Sequence, residues 1–332
     1  MGTDWSAIDK QLIDGNTFSD QPKVYEIFRR MRQEDPVHWT VREDGVGFWS
    51  VFKHRECRQV LDDAVLFNTQ DTGQMPPMSK AHDEVSRDGF GVGLSILTTD
   101  PPRHTEVRDI FEDSFKPKAM AIYEERCRQI VRGVFDSLPE SGECDLVADI
   151  GAQIPMAVIS DILKIPMGDW EEILGWGKMS HQMFNHDAQT SLKGFDNMTN
   201  YCLALSNERR GCPMDDPLAI MANSKINGKP LTEQEIGRNG MLLLVAGFET
   251  TRNAFAGGVQ ALLEHPEQMQ YLRENPKGMR LAVEEVVRWT NAACAFRRMA
   301  TADTELGGKE IKKGDSVVVW FPSANRDEEV FT

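Results

Sequence analysis

Six consecutive residues, Ala246-Gly247-Phe248-Glu249-Thr250-Thr251, combine an acid, two hydroxyls and a missing side chain directly after the apolar run Met241 to Val245. Glu249 is an ionisable group beside apolar neighbours, where an unpaired charge is costly. Thr250 can donate to the carbonyl of Ala246 or bend the chain to free that carbonyl. Gly247 costs about 1 kcal/mol against alanine inside a helix. In return it lets a flat ligand or another backbone come close. Together they describe a local opening containing an acid, a hydroxyl and space. The same residues also suit a tight helix crossing at Gly247 with Glu249 on the solvent edge. A second set is Glu285-Val286-Val287-Arg288, whose spacing of three puts acid and base on one helical face. Buried and bidentate, that pair is a rigid anchor; exposed, it is worth only about 0.2–0.5 kcal/mol. A third set is His104 and Arg108, four apart, with Arg298 on a separate strand. Three such donors could grip a carboxylate or phosphate; singly, each suits an ordinary solvent-facing side chain.

The elements that must position these groups are legible from periodicity. Thr232 and Glu235 form a capping box, in which hydroxyl and carboxylate each satisfy a free backbone N–H. The helix they open runs from Glu233 to about Glu264, where His265-Pro266 ends it. Its middle is apolar nearly all round and reads as a buried spine. Helices are also expected over Pro22–Gln33, Arg55–Asp62, His104–Phe111, Lys118–Leu138, Val147–Leu163, Met167–Met179, within Ser191–Arg210, and from Pro276 to Trp289. Pro155 falls inside one of them and predicts a kink or an earlier start. Val37–Val41 and Gly47–Phe52 alternate around a turn and read as a hairpin. Ala295–Met299, Thr304–Leu306 and Ser316–Phe321 read as further strands. Residues 70 to 93 have no clear period, which suits either a binding lid or a surface insertion. Neither a repeat nor a linker is visible, so one mainly α domain with a small β portion is expected over residues 1–332.

Composition narrows the chemistry. The 332 residues carry 52 Asp plus Glu against 37 Lys plus Arg, a formal net charge of −15. That opposes binding to nucleic acid or an anionic membrane surface, both of which need positive charge. The six cysteines form no CxxC pair and read as reduced and cytoplasmic. Seven scattered histidines, without an HExxH, give no support for zinc hydrolase chemistry. Met75, Met78, Met179, Met183 and Phe184 suit an adaptable apolar pocket, or equally plain core packing.

The order and context of these motifs resemble the cytochrome P450 family of haem-thiolate monooxygenases. AGFETT resembles the family's oxygen-activating motif, EVVR its ExxR motif, and DPPRHTEVR the helix that meets the haem propionates. FRRMATADTELGGKEIKKGDSVVVWFPSANRDEEVF resembles the segment after the ExxR helix. The resemblance is to soluble bacterial members that act on terpenoids, steroids or aromatic hydrocarbons. It implies haem b (iron protoporphyrin IX) as cofactor, held through its propionates by His104, Arg108 and Arg298, with Ala246 and Gly247 bordering the oxygen groove. It implies Glu249 and Thr250 as the proton-delivery pair and Glu285 with Arg288 as a structural brace. Residues 70–93 and 179–192 would line substrate access. The implied partners are O2, an apolar substrate, a ferredoxin and an NAD(P)H-dependent ferredoxin reductase, in the cytoplasm. The family's axial cysteine lies in a Gly- and Phe-rich loop that is not present, so no metal ligand is expected in this chain. That ligand is expected beyond Thr332, in a protein truncated on its C-terminal side. A non-catalytic haem or apolar-ligand binding protein is the alternative.

Overall fold

A computed structural model describes residues 5–181, 187–212 and 215–331. In chain order its helices are α1 (Ser6–Ile13), α2 (Gln21–Glu34), α3 (His54–Asp62), α4 (Lys80–Phe90), α5 (Arg103–Phe111), α6 (Pro117–Asp136), α7 (Gln153–Leu163), α8 (Trp170–Ser180), α9 (Ala188–Glu208), α10 (Pro217–Asn223), α11 (Glu233–Glu264), α12 (Pro266–Glu274), α13 (Met279–Thr290) and α14 (Phe321–Ala324). The strands are β1 (Val37–Val41), β2 (Gly47–Val51), β3 (Phe67–Asn68), β4 (Lys225–Ile226), β5 (Lys229–Pro230), β6 (Ala295–Ala300), β7 (Thr304–Leu306), β8 (Lys309–Ile311) and β9 (Ser316–Trp320). The chain packs as two compact units. One comprises Met1–Val107, Gly175–Asn200 and Ala293–Thr332; the other comprises Arg108–Leu174 and Tyr201–Ala292.

The first unit is built on a five-stranded sheet of order β1-β2-β9-β6-β3. β1 and β2 form the antiparallel hairpin that alternation predicts, and β2 runs parallel to β9, with Trp49 opposite Val317. β9 is the central strand and is buried on both faces. Its alternate residues enter two separate cores. Val318 and Trp320 join Ile8, Leu12, Phe28, Met31 and Phe48, beneath α1 and α2. Val317 and Val319 join Val51, Cys57, Val60, Leu306 and Ile311, against α3 and the β7–β8 hairpin. α2 begins where the Asp20 side chain accepts from the Lys23 amide and buries Val24, Ile27, Phe28 and Met31, the face its period defines.

The second unit is helical apart from the β4–β5 hairpin. α11 has the predicted bounds: Thr232 Oγ1 accepts from the Glu235 amide at 3.2 Å, and Glu235 Oε2 accepts from the Thr232 amide at 2.8 Å. Met241, Leu242 and Leu244 of its middle are buried, whereas Ala246 is exposed, so the spine is covered on part of its circumference only. α7 and α13 cross it at glycines. A β-carbon placed on Gly247 would stand 2.7 Å from Ile159 Cδ1, and one on Gly258 would stand 2.6 Å from Val286 Cγ1. The expected helix from Val147 is divided into a π-helical turn over Leu146–Gly151 and then α7, with Pro155 in its first turn. A ring with no N–H is tolerated there because the amide has no partner inside the helix.

Residues 70 to 93 combine a largely buried irregular stretch with a helix. Thr72, Gly73, Gln74, Pro76 and Pro77 are buried, and α4 follows. Ser79 caps α4 by accepting from the His82 amide, and Gly91 ends it with φ +67°. The Ser86 hydroxyl accepts from the Met75 amide at 2.8 Å.

Candidate active site

The middle of α11 in the second unit presents two adjoining faces. Ala246, Thr250 and Asn253 are exposed and recur at i, i+4 and i+7, which places them on one stripe. Thr250 Oγ1 donates to the Ala246 carbonyl at 2.7 Å, so the hydroxyl is held in a fixed direction along that stripe. Beside it lies a pocket of about 290 Å³ lined by Phe115, Val158, Ile159, Ile162, Leu243, Ala246 and Gly247. Its lining side chains are apolar throughout. The Gly247 side of the pocket is bounded by Ile159, whose side chain occupies the space a β-carbon would need. The glycine therefore serves the close crossing of α7 and α11.

Consecutive helical residues are about 100° apart, which turns Glu249 off the exposed stripe and into the protein. It is 8% exposed. Its Oε2 lies 2.5 Å from Arg252 Nη2, one turn along the same helix. The guanidinium of Arg252 also lies over the Phe248 ring at 5.4 Å. A carboxylate taken out of water needs such a partner. Arg252 stands outside the AGFETT motif, and its i+3 spacing from Glu249 is the signal of this pair in the sequence.

α5 carries His104 and Arg108 four residues apart. Its start is fixed by Asp100, whose carboxylate accepts from the Thr69 amide (2.9 Å), the Thr69 hydroxyl (3.0 Å) and the Gln70 amide (2.8 Å). His104 is half-buried and Arg108 exposed. Neither side chain makes a hydrogen bond or ion pair among the described residues. Arg298 on β6 is half-buried and donates from Nη1 to the Arg297 carbonyl at 2.9 Å. Burial pushes its guanidinium below the ordinary arginine value, against the opposing pull of Asp100. The inward arginine of the pair is Arg297, 2% exposed, bound to Asp83 Oδ1 at 2.5 Å and to the Gly73 carbonyl at 2.9 Å. That ion pair ties β6 to α4, and among the described residues Arg298 has no carboxylate within an ion pair. His104 and Arg298 belong to the first unit; Arg108, Ala246, Gly247, Glu249 and Thr250 belong to the second.

Glu285 and Arg288 are paired in bidentate fashion on α13, with Nε–Oε2 at 2.7 Å and Nη2–Oε1 at 2.5 Å. The Glu285 side chain is 58% exposed, so here the pair has the strength of a surface pair. Met78 packs against the core under α1 and α2. Met75 and Met179 are half-buried in the first unit. Met183 and Phe184 lie outside the described residues.

Comparison with known proteins agrees with this architecture. The family model described as Cytochrome P450 matches residues 195–332. The chain is 32% identical to a linalool 8-monooxygenase of Pseudomonas putida over 318 residues, taking in 94% of this chain and 78% of that protein. It is 30% identical to a steroid C26-monooxygenase of Rhodococcus jostii, over 100% of this chain and 72% of that protein. The structure of CYP108D1 from Novosphingobium aromaticivorans matches with a TM-score of 0.88 at 25% identity, over 98% of this chain and 80% of that one. Fold and relatives define a monooxygenase, an oxidoreductase with a mainly helical architecture and a small sheet. The chain belongs to the cytochrome P450 family, whose cofactor is haem b.

The residues present fit part of that cofactor. Among the described residues His104 and Arg298 of the first unit, and Arg108 of the second, pair with no carboxylate, and each has the donor chemistry that a propionate needs. The exposed Ala246–Thr250 stripe beside an apolar pocket suits the open face of a porphyrin. An axial thiolate is another matter. Burial pushes the Cys202 and Cys294 thiols up to about 12, and raises Cys57 further. Cys127 is also raised by burial, and Cys144 and Cys212 are exposed. Among the described residues no group of three or more His, Cys, Asp or Glu is arranged to hold a metal.

Proposed function

We propose that this chain provides the oxygen-face machinery of a haem-dependent monooxygenase, which inserts one atom of O2 into a C–H bond of an apolar small molecule. The observation that carries the reading is the Thr250 hydroxyl, held on the Ala246 carbonyl beside an apolar pocket and next to a buried, ion-paired acid. Haem b with a thiolate ligand supplies the activation of dioxygen when bound. His104, Arg108 and Arg298 would anchor its propionates. Thr250 Oγ1 keeps one proton directed along the exposed stripe. Glu249, released from Arg252, takes a proton from solvent on Oε2 and passes it toward the Thr250 hydroxyl. Glu285 and Arg288 brace α13. Residues 70–93 with Met75 and Met78, and residues 179–192 with Met179, Met183 and Phe184, contribute to substrate access.

The substrate class follows from pocket chemistry and from the relatives. The relatives named above act, by their names, on linalool and on a steroid; a terpenoid, steroid or aromatic hydrocarbon fits an apolar pocket here. Electrons come from a ferredoxin and an NAD(P)H-dependent reductase. The free cysteines suit a reducing cytoplasm. A titration of the haem-loaded protein with linalool, a sterol and an aromatic hydrocarbon tests the assignment. At least one class should shift the Soret band saturably. A protein that takes up haem and responds to none of them refutes the substrate reading. A second reading, a haem or apolar-ligand binder without turnover, rests on the same apolar pocket beside Ala246 and Gly247. Its mark is ligand binding with a carbon monoxide spectrum lacking the thiolate signature.

A further inference from the structure

A buried polar chain in the first unit lies outside the machinery described so far. His38, at the second position of β1, is 5% exposed. Its Nε2 lies 2.7 Å from Asp9 Oδ1 on α1, and its Nδ1 lies 2.9 Å from Asp35 Oδ2, just past α2. Asp9 is itself 8% exposed. Asp35 Oδ1 takes a further contact from Lys309 Nζ of β8 at 2.9 Å. Trp5 meets the imidazole edge-on, with ring centroids 5.7 Å apart, and Arg30 of α2 lies over Trp5 at 4.8 Å. Across the β1–β2 ladder the residue opposite His38 is the uncharged Ser50. The groups facing the ring from the packed elements are therefore two carboxylates, with Lys309 acting on one of them and Arg30 on the neighbouring indole.

A neutral imidazole has one donor nitrogen and one acceptor. Placed between two carboxylates, it turns a lone pair toward one of them. Only the doubly protonated ring donates to both. We propose that Asp9, His38 and Asp35 form a pH-sensitive pin that fastens α1 to β1, closed when the ring carries two protons and released when one is lost to solvent. Ile8 and Leu12 supply the apolar hold of α1 on the core; the pin is its buried polar hold.

The direction of the response follows from the environment. Burial disfavours the imidazolium, but the hydrogen bonds to Asp9 and Asp35 outweigh it and raise the ring above the ordinary 6.5. Stability from a raised group is fully present below the unfolded value. It is lost as pH climbs through the folded value. Opening of α1 should therefore increase up to about tenfold per pH unit inside that window.

Hydrogen exchange of the α1 amides, corrected for intrinsic rates from pH 5 to 9, reads this opening in the chain as it stands. Wild type should lose α1 protection with rising pH, and His38→Gln should show a flat, weaker protection. Asp9→Asn should move the wild-type midpoint down, because it removes one carboxylate. Histidine 15N shifts give an independent reading if His38→Gln does not fold. Both His38 nitrogens should stay protonated above pH 6.5. Protection in wild type that does not change with pH, an identical pH response in His38→Gln, or a neutral His38 ring at pH 6 overturns the proposal.

Discussion

Replacing Gly258 by alanine sets two effects of known sign against each other. Alanine is a better helix former than glycine by about 1 kcal/mol, so at an open position the change stabilises. Gly258 is not open: the new methyl would stand 2.6 Å from Val286 Cγ1 and 3.0 Å from Cγ2, against 3.4–4 Å for ordinary contact. Val286 is β-branched, and both of its methyls face the glycine, so rotating χ1 substitutes one clash for another. α13 must instead move off α11 by a distance comparable to the shortfall. Overpacking of this kind costs about 1–3 kcal/mol. A contact under 3.0 Å against a side chain that cannot turn away belongs in the upper part of that range, about 2–3 kcal/mol, so the net expectation for Gly258→Ala is a loss of about 1–2 kcal/mol, read as a lower urea midpoint with an unchanged m-value. Gly133, on α6 with nothing within 4 Å of an added β-carbon, is the control: Gly133→Ala should gain about 0.5–1 kcal/mol. Adding Val286→Ala to Gly258→Ala should recover part of the loss, a coupling expected only of residues in contact. A Gly258→Ala protein as stable as wild type, or a loss untouched by Val286→Ala, refutes the close crossing as the reason for this glycine.

In the haem-loaded protein supplied with its electron donors, Glu249→Gln should lower product formation about 100-fold, the scale of a lost proton donor. Thr250→Val should do so through less product per NAD(P)H, with stability altered by under about 1 kcal/mol, since the lost bond is at the surface. Unchanged coupling in both removes them from proton delivery. Asp100→Ala strips one acceptor group from three donors at Thr69 and Gln70 and should destabilise by about 2–3 kcal/mol in urea unfolding; an unchanged midpoint would show that those donors find water instead.

The parts of the fold legible in the sequence are those where local chemistry and tertiary packing agree. α11 has a capping box at one end and Pro266 at the other, and both work without help from neighbours. The β1–β2 hairpin and β6 are readable as strands from their alternation, although Phe48 and Val51 of β2, and Ala295 and Ala300 of β6, enter opposite cores. α4 has no clear period because KAHDEVSRDGF is polar; its local marks are a serine cap and a left-handed glycine, and its partners are distant, Arg297 at Asp83 and the Phe195 ring at Gly89. β3 is two residues long, and its pairing with Met299 and Ala300 has no local signature. At the candidate site, AGFETT shows an acid and a hydroxyl side by side, and the burial of Glu249 and the Thr250 bond to Ala246 come from the structure. The choice between Arg297 and Arg298 was not, because alternation says only that they differ. Asp83 decides it, by taking Arg297 inward. Gly247 was open to two explanations, and the Ile159 side chain selects the crossing.

β9 has a consequence for how the molecule is made. Its residues 317–319 sit between β2 at residues 49–51 and β6, and they supply both cores of the first unit. During synthesis the hairpin that emerges early has no central strand to lean on until more than 260 further residues have left the ribosome. The helices of the other unit, complete at Ala292, can settle in that interval. Pairings this distant along the chain form slowly and leave apolar strands uncovered meanwhile. The early hairpin is thus the place where a chaperone would be most needed, and where a stalled chain would first aggregate.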